Sequence, residues 1–579
     1  MLLAWGQPVV AWPRRLRPNL WDLIALPIVL LALALMAYGA NGAAVPFKIG
    51  DALEISLDPI NLPAYALRTV LRMGVALVFS LVFSLVYAAI AAKSRQAEKI
   101  MIPVLDILQS VPILGFLSIT VTGFIALFPG QLLGVECAAI FAIFTSQAWN
   151  MTFSLYQSFR TVPGDLLEAS RMYHLAPMQR FWRLEVPHAM PGLVWNTMMS
   201  VSGGWFFVVA SEAITVSGNT ILLPGIGSYI ATAIDQKNLL AIVYAVLVML
   251  VTILLYDQLL FRPLLAWSQK FRNELEGEQE VERPWFLITL QRARFFELVS
   301  FVGGWTWKAV GFIIDWLTPR SVGAAHQERE AQPWVDWVFN IAFALVGLYA
   351  AWQLVNFIST GVGWSEVATV FGLGLITAIR VLVLIIVASV IWVPIGVWIG
   401  LRPTLAAKAQ PVIQFLAAFP ANLFFPIFVV AIVHFHLNVE FWVSPLMILG
   451  TQWYILFNVI GGTMAMPSEV HFAAANFRVH GWLWWRRVIL PGIFPAYVTG
   501  ALTAAGGSWN ASIVSEIVKW GDNTLTATGV GAYIAKYTEA GDFPRIALGV
   551  GVLCIYVLFL NRLFWRRLYN LAAEKLRMD

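Results

Sequence analysis

Charged residues are scarce in this 579-residue chain, at 12% of the total against 59% hydrophobic and 14% aromatic residues. A soluble domain averages about 25% charged residues, so this chain cannot cover the surface of a water-soluble globule of its mass. Cysteine is nearly absent. Cys137 and Cys554 both lie in apolar stretches without metal-type spacing, which leaves them as core or lipid-facing residues. No Gly-x-x-x-x-Gly-Lys-Ser/Thr phosphate loop, nucleophilic serine elbow or zinc helix motif occurs, so the chain is not read as an enzyme and holds no cofactor of its own. Among the seven histidines, His188, His434 and His436 show no grouping with acids or cysteines, and no metal site is supported. The short alternating segments of a membrane barrel are missing too.

What is present is about a dozen apolar stretches of roughly 20 residues, each able to cross about 30 Å of hydrocarbon as a helix. The expected fold class is an all-α polytopic membrane protein. The formal charge of +5 sits between these stretches, where topology explains it without a nucleic-acid partner.

The chain also repeats itself. Ser211-Glu212 recurs as Ser515-Glu516, Pro187 as Pro491, Trp205 as Trp509, and Gly225-x-Gly227-x-Tyr229 as Gly529-x-Gly531-x-Tyr533, each pair 304 positions apart. Further upstream Pro103 and Pro112 match Pro411 and Pro420 at 308. Spans are predicted near 21–40, 66–92, 103–128, 132–155, 187–216 and 238–262, then near 334–358, 368–401, 411–433, 439–465, 491–518 and 544–564. Six spans per copy make the repeat parallel, with both copies entering from the same side.

The division is a first half at 1–272, a charged connection at 273–333, and a second half at 334–579. Arg14/Arg15/Arg17, Lys93/Arg95/Lys99, Arg160/Arg171/Arg180/Arg183 and Arg262/Lys270/Arg272 occupy alternate loops, as do Arg402/Lys408, Arg478/Arg486/Arg487 and Arg562/Arg566/Arg567. The excess of positive charge puts those loops and both termini in the cytoplasm. The connection reads as a solvated linker whose apolar stretch 295–317, interrupted by Glu297, Lys308 and Asp315, lies in the membrane interface. The basic residues before Leu23–Met36 fit either a signal peptide or a retained first span, and the equivalent segment 334–358 favours the span.

The loop after the fourth span carries the most information. It reads Pro163-Gly-Asp165-Leu-Leu-Glu168-Ala169-Ser170-Arg-Met-Tyr-His174 and runs on to Pro187; its second copy runs from Pro467 through Glu469, Phe472, Ala473, Ala474 and Arg478 to Pro491. Each predicts a short helix after a proline, and Asp165 with Glu168 has the spacing of a capping box. This pattern resembles the cytoplasmic loop of ATP-binding-cassette importer permeases, with Glu-Ala-Ala, a later Gly and a terminal aliphatic-x-Leu-Pro. Gln109-Ser-Val-Pro112, Ala417-Ala-Phe-Pro420 and each glutamate followed by Gly-x-Gly are similar to the nitrate, sulfonate and taurine group of these permeases.

The resemblance implies two six-helix permease bundles fused in one chain in a bacterial inner membrane. It further implies a coupling helix in each half, docked on one of two cytoplasmic ATPase subunits that hold ATP and Mg, and a solute-binding protein on the far side. The solute it implies is a small anion such as nitrate, bicarbonate, a sulfonate or an organic acid. Two departures stand out. His174 and Arg478 replace the Gly, so the turn there is expected to do without positive φ, and Phe472 replaces the Glu, so the two helices should meet the ATPases unequally.

Glu212 and Glu516, with Ser211 and Ser515, fall near the ends of apolar spans, where charge is costly. They either line or gate the solute path as a pair, or tie each helix to the following Gly-rich loop through backbone N–H groups. Gln147 and Gln452 in the fourth spans and Gln109 in the third can bond across helices or touch solute. Trp205 and Trp509 in the fifth spans are core or stacking residues. An ion-coupled secondary transporter with six plus six parallel spans is the rival reading, and the glutamate pair is what lends it weight.

Overall fold

The computed structural model describes residues 54–216, 219–271, 288, 333–521 and 523–575. The expected first span at 21–40 and the 295–317 stretch lie outside the described residues.

In the first half, α1 (Leu62–Lys93), α2 (Arg95–Ser110), α3 (Ile113–Leu127) and α4 (Leu133–Arg160) are followed by the short α5 (Gly164–Met172) and by α6 (Val186–Glu212). A hairpin of β1 (Ala213–Val216) and β2 (Asn219–Leu222), the short α7 (Ile226–Asp235), α8 (Leu239–Tyr256) and a last short helix at Arg262–Ser268 complete it. In the second half the same order runs α9 (Pro333–Ser359), α10 (Trp364–Gly400), α11 (Pro403–Ala418), α12 (Phe425–His434), α13 (Gln452–Met464) and α14 (Ser468–Asn476). It continues with α15 (Leu490–Ser515), β3 (Ile517–Trp520), β4 (Asn523–Thr526), α16 (Val530–Ala540), α17 (Phe543–Leu560) and α18 (Arg566–Lys575).

Seven described helices are long and apolar enough to cross a membrane, or ten when each bent pair counts as one span. The buried α4 has 28 residues, about 42 Å of helix, and is long enough as well. It sits between α1 and α6, and near its start Gly134 lies against Phe124 and Ile125 of α3, with Ala138, Ala139 and Ala142 in one core with Ile113, Leu117 and Val121. Hydroxyls join α4 to α1: Ser84 Oγ donates to the Ala148 carbonyl at 3.1 Å, and Thr152 Oγ1 to Ser84 Oγ at 2.9 Å. In the second half α13 lies between α10 and α15 in the same way.

The continuous spans expected at 103–128, 411–433 and 439–465 are broken. Helices bend by 94° between α2 and α3, by 75° between α11 and α12, and by 45° before α13. At the first two bends Val111 (ψ 124°) and Phe419 (ψ 127°) precede Pro112 and Pro420, and the proline ring drives the residue before it out of the helical region. The fifth spans are also shorter than expected, ending at Glu212 and Ser515. The β-branched runs after them form antiparallel hairpins, Ala213 opposite Leu222 and Ile517 opposite Thr526.

The halves exchange their third spans. In the first half α3 packs on α15 and α17 of the second, so closely that a Cβ at Gly115 would lie 2.7 Å from Val550 Cγ2. Conversely α11 packs on α6, and Ala418, Phe419 and Leu423 belong to the first half's main core.

Candidate functional site

At one end of the bundle α5 and α14 form two exposed levers. Their helix-capping residues are Pro163 and Pro467, and no side chain caps either helix. The capping box expected from Asp165 and Glu168 is therefore not formed: Asp165 falls inside the first turn, where its carboxylate faces the positive end of the helix dipole instead. On α5, Asp165 and Glu168 are exposed, Ala169 is half-buried and Ser170 buried; on α14, Glu469, Phe472 and Ala473 are exposed and Ala474 buried. Pro187 and Pro491 are half-buried where the loops re-enter the bundle.

The turns that end the levers differ from expectation. His174 and Arg478 take φ of 49° and 53°, the left-handed conformation for which glycine is best suited. Backbone bonds hold them there. Leu175 N–H donates to the Ser170 carbonyl at 3.1 Å and His174 N–H to the Arg171 carbonyl at 2.9 Å, and Val479 and Arg478 repeat the pair on Ala474 and Ala475. Two bonds outweigh the ~1–2 kcal/mol that a side chain loses in this region. We expect H174G and R478G to tighten their turns, read as slower hydrogen exchange of the amides at 174–175 and 478–479; faster exchange would contradict the strain.

The bases of the levers are unlike each other. Glu185 is buried and joins Arg180 at 2.9 Å and Lys93 at 3.1 Å, with Lys93 Nζ 4.2 Å from the Phe181 ring centroid. At the repeat positions stand Leu401, Trp484, Trp485 and Ile489, an apolar base.

At the opposite end of α6 lies a buried charge node. Arg72 on α1 donates through Nε and Nη2 to both Glu136 oxygens at 2.6 and 2.7 Å, and through Nη1 to Glu212 Oε1 at 2.7 Å. Thr69 Oγ1 donates to the same Glu212 oxygen at 2.7 Å and accepts the Ile226 N–H at 3.1 Å. Gly227 N–H donates to Glu212 Oε2 at 2.7 Å. One guanidinium facing two carboxylates leaves acceptors to spare, and the amino end of α7 supplies the missing donors. The node thus joins α1, α4, α6 and α7 at one point.

The second half builds the same node from Arg380, Glu440, Glu516 and Thr377. Arg380 Nη1 donates to Glu516 Oε1 at 2.7 Å, Nη2 to Glu440 Oε2 at 3.0 Å, and Thr377 Oγ1 to Glu516 Oε1 at 2.8 Å. Gly531 and Ala532 N–H groups donate to Glu516 Oε2 at 2.8 and 3.1 Å. The closure differs. Side-chain exposure is 4% for Arg72, 10% for Glu136 and 0% for Glu212, but 10%, 44% and 0% for Arg380, Glu440 and Glu516.

Close approach at the node depends on glycine. A Cβ at Gly227 would sit 2.2 Å from the Val209 carbonyl oxygen, whereas one at Gly74 meets nothing within 4 Å. G227A should sharply lower the yield of folded, monodisperse protein, and G74A should leave it unchanged or slightly raised; equal yields would remove the packing argument.

Among the described residues, the partners of Glu212 belong to the first half and those of Glu516 to the second. Ser211 and Ser515 are buried beside them, Ser211 bonded to the Val208 carbonyl and the Ser515 hydroxyl without a partner among the described residues. Trp205 and Trp509 are buried in the two cores, Trp205 edge-on to Tyr256 at 5.4 Å. Gln147 is fully buried with Nε2 2.8 Å from Met73 Sδ, Gln452 accepts the Trp392 indole N–H at 2.9 Å, and Gln109 is exposed near the end of α2. Sequence reasoning had passed over Arg72, Thr69 and Glu136 with their copies. The signal was there: arginine in the middle of an apolar span, repeated at 308, with Glu136 and Glu440 repeated at 304.

The family described as binding-protein-dependent transport system inner membrane component matches residues 80–262 and again 392–571. The bicarbonate transport system permease protein CmpB of Synechococcus elongatus is 29% identical over 176 residues, which is 30% of this chain and 60% of that protein. The glycine betaine/proline betaine transport system permease protein ProW of Escherichia coli is 28% identical over 203 residues, 35% of this chain and 54% of ProW. The nitrate import permease protein NrtB of Leptolyngbya laminosa is 22% identical over 248 residues, 41% and 84% of the two chains.

Proposed function

The chain belongs to the family of binding-protein-dependent transport system inner membrane components, as a fused permease of the type I ATP-binding-cassette importers, and we propose that it forms the whole membrane pathway of one importer. The duplicated lever carries this reading. Two short helices, α5 and α14, stand exposed at the same end of two like-oriented bundles, each closed by the same left-handed turn. Two cytoplasmic ATPases holding ATP and Mg would dock there, which puts the termini on the ATPase side, and a solute-binding protein would meet the face with the hairpins. Residues 1–272 and 334–579 serve as the two permease halves and 273–333 as the cytoplasmic connection.

ATP-driven approach of the ATPases would then swing the levers and rock the halves between two states of access. The charge nodes would make each swing a rigid-body motion, because each fixes four helices to one point. We infer a small anion as solute, with bicarbonate and nitrate first, from the names of the relatives. Purification with the cognate ATPase and binding protein, followed by uptake of radiolabelled bicarbonate and nitrate into proteoliposomes, tests the reading. ATP-dependent uptake requiring all components supports it. Uptake by the chain alone, or uptake of betaine in place of either anion, overturns the corresponding part.

A further inference from the structure

Six residues of both halves meet where α6 faces α11 and α13: Met199, Ser202, Gln414, Ala417, Tyr454 and Phe457. This seam is shut. Gln414 Nε2 lies 2.8 Å from Met198 Sδ, the Phe457 ring stacks on Trp195 at 6.1 Å, and a Cβ at Gly203 would lie 3.4 Å from the Tyr454 hydroxyl.

The repeat defines the corresponding seam on the other side of the axis. Subtracting 308 from the α11 positions, subtracting 304 from those of α13 and adding 304 to those of α6 gives Asp106, Gln109, Asn150, Phe153, Thr503 and Gly506. Here the chemistry and the closure both change. Asp106, Gln109, Asn150, Thr503 and Gly506 are exposed, and only Phe153 is half-buried.

Two further observations concern the α15 flank of this second seam. Asn510, one turn beyond Gly506, accepts the Ile113 N–H on its Oδ1 at 2.8 Å, which holds α15 against the elbow that follows Gln109. The exposed positions Thr499, Thr503 and Gly506 share one face of α15. The exposed faces of α1 and α17 are apolar by contrast, with Val78, Val82 and Val86 on α1 and Ile555 and Phe559 on α17. A polar face on a span of this bundle belongs to water or to a neighbour rather than to lipid.

We propose that solute crosses on this side alone, through a cleft lined by Gln109, Asn150 and Thr503, while the seam at Tyr454 and Phe457 stays shut. The proposal rests on the importer reading and adds the route and the class of solute. Amide N–H and hydroxyl donors suit a compact oxyanion or a similarly polar solute and offer nothing to a large apolar one. Asp106 also lies on this side, within electrostatic reach of Arg566 and Arg562.

Cysteine accessibility tests the route in the full chain, in membrane vesicles, with Cys137 and Cys554 replaced by alanine. The probe is a membrane-impermeant methanethiosulfonate bearing a quaternary ammonium group. N150C and T503C should react at least tenfold faster than M199C and Y454C. Equal rates, or reaction of N150C and T503C with a membrane-permeant maleimide only, would overturn the one-sided route. This labelling needs neither ATPase nor transport, so its failure leaves the importer reading standing, and failed uptake with successful labelling does the reverse. In the reconstituted importer, N150Y and T503M copy residues of the shut seam and should cut uptake more than tenfold with ATPase retention intact. Unchanged uptake in both overturns the proposal.

Discussion

Arg72→Met should leave little folded protein after detergent extraction, whereas Arg380→Met should leave a measurable, less stable fraction. Removing one partner of a buried ion pair costs about 3–5 kcal/mol, because the remaining charge stays in a medium of low dielectric. Arg72 faces two carboxylates that are closed off from solvent, and its loss strands both. Arg380 shares its node with Glu440, whose side chain is 44% exposed and also accepts from Thr528 N–H at 2.8 Å. Water and that backbone donor can take over part of the lost interaction. Size-exclusion profiles after a temperature ramp would separate the two variants. Adding E136Q and E212Q to Arg72→Met should recover part of the loss. Equal behaviour of the two arginine variants would refute the difference in closure.

Phe472→Ala should weaken ATPase binding by roughly 30-fold, and Glu168→Ala by no more than a few-fold. Phe472 is 69% exposed on α14 among the described residues. An aromatic anchor buried at an interface is worth about 2 kcal/mol or more, whereas an exposed ion pair contributes ~0–1 kcal/mol. Because Phe472 is exposed, its loss leaves the fold of the permease unchanged, and the effect can be read as a dissociation constant with the purified ATPase. Similar constants for both variants would end the idea that the second lever is the tighter dock.

Much of the architecture was legible because it follows from hydropathy and from a fixed repeat distance. The breaks were harder to see. The apolar character continues through Val111-Pro112 and Phe419-Pro420, so hydropathy registers one span where the backbone turns sharply. The hairpins were hidden for a similar reason, since Ala213-Ile-Thr-Val216 is as apolar as the helix it follows. At the nodes, Glu212 and Glu516 could be singled out from charge alone, but their partners lie more than 130 residues earlier on α1 and α10. The left-handed turns at His174 and Arg478 show backbone bonding overriding a residue's own preference, which no local rule of composition anticipates. The inequality of the two seams depends on contacts between halves and on side-chain size at paired positions, so only the assembled bundle reveals it.

The exchange of third spans has a consequence for biosynthesis. The first core is closed by Ala418, Phe419 and Leu423, roughly 150 residues after the last helix of its own half at Ser268. At a synthesis rate of about 5–20 residues per second, the nascent amino-terminal bundle waits on the order of ten to thirty seconds in the bilayer with one flank of α6 uncovered. During that interval the ribosome-bound intermediate offers a ready surface for insertion chaperones and membrane proteases, and slow codons between positions 269 and 423 would lengthen its exposure.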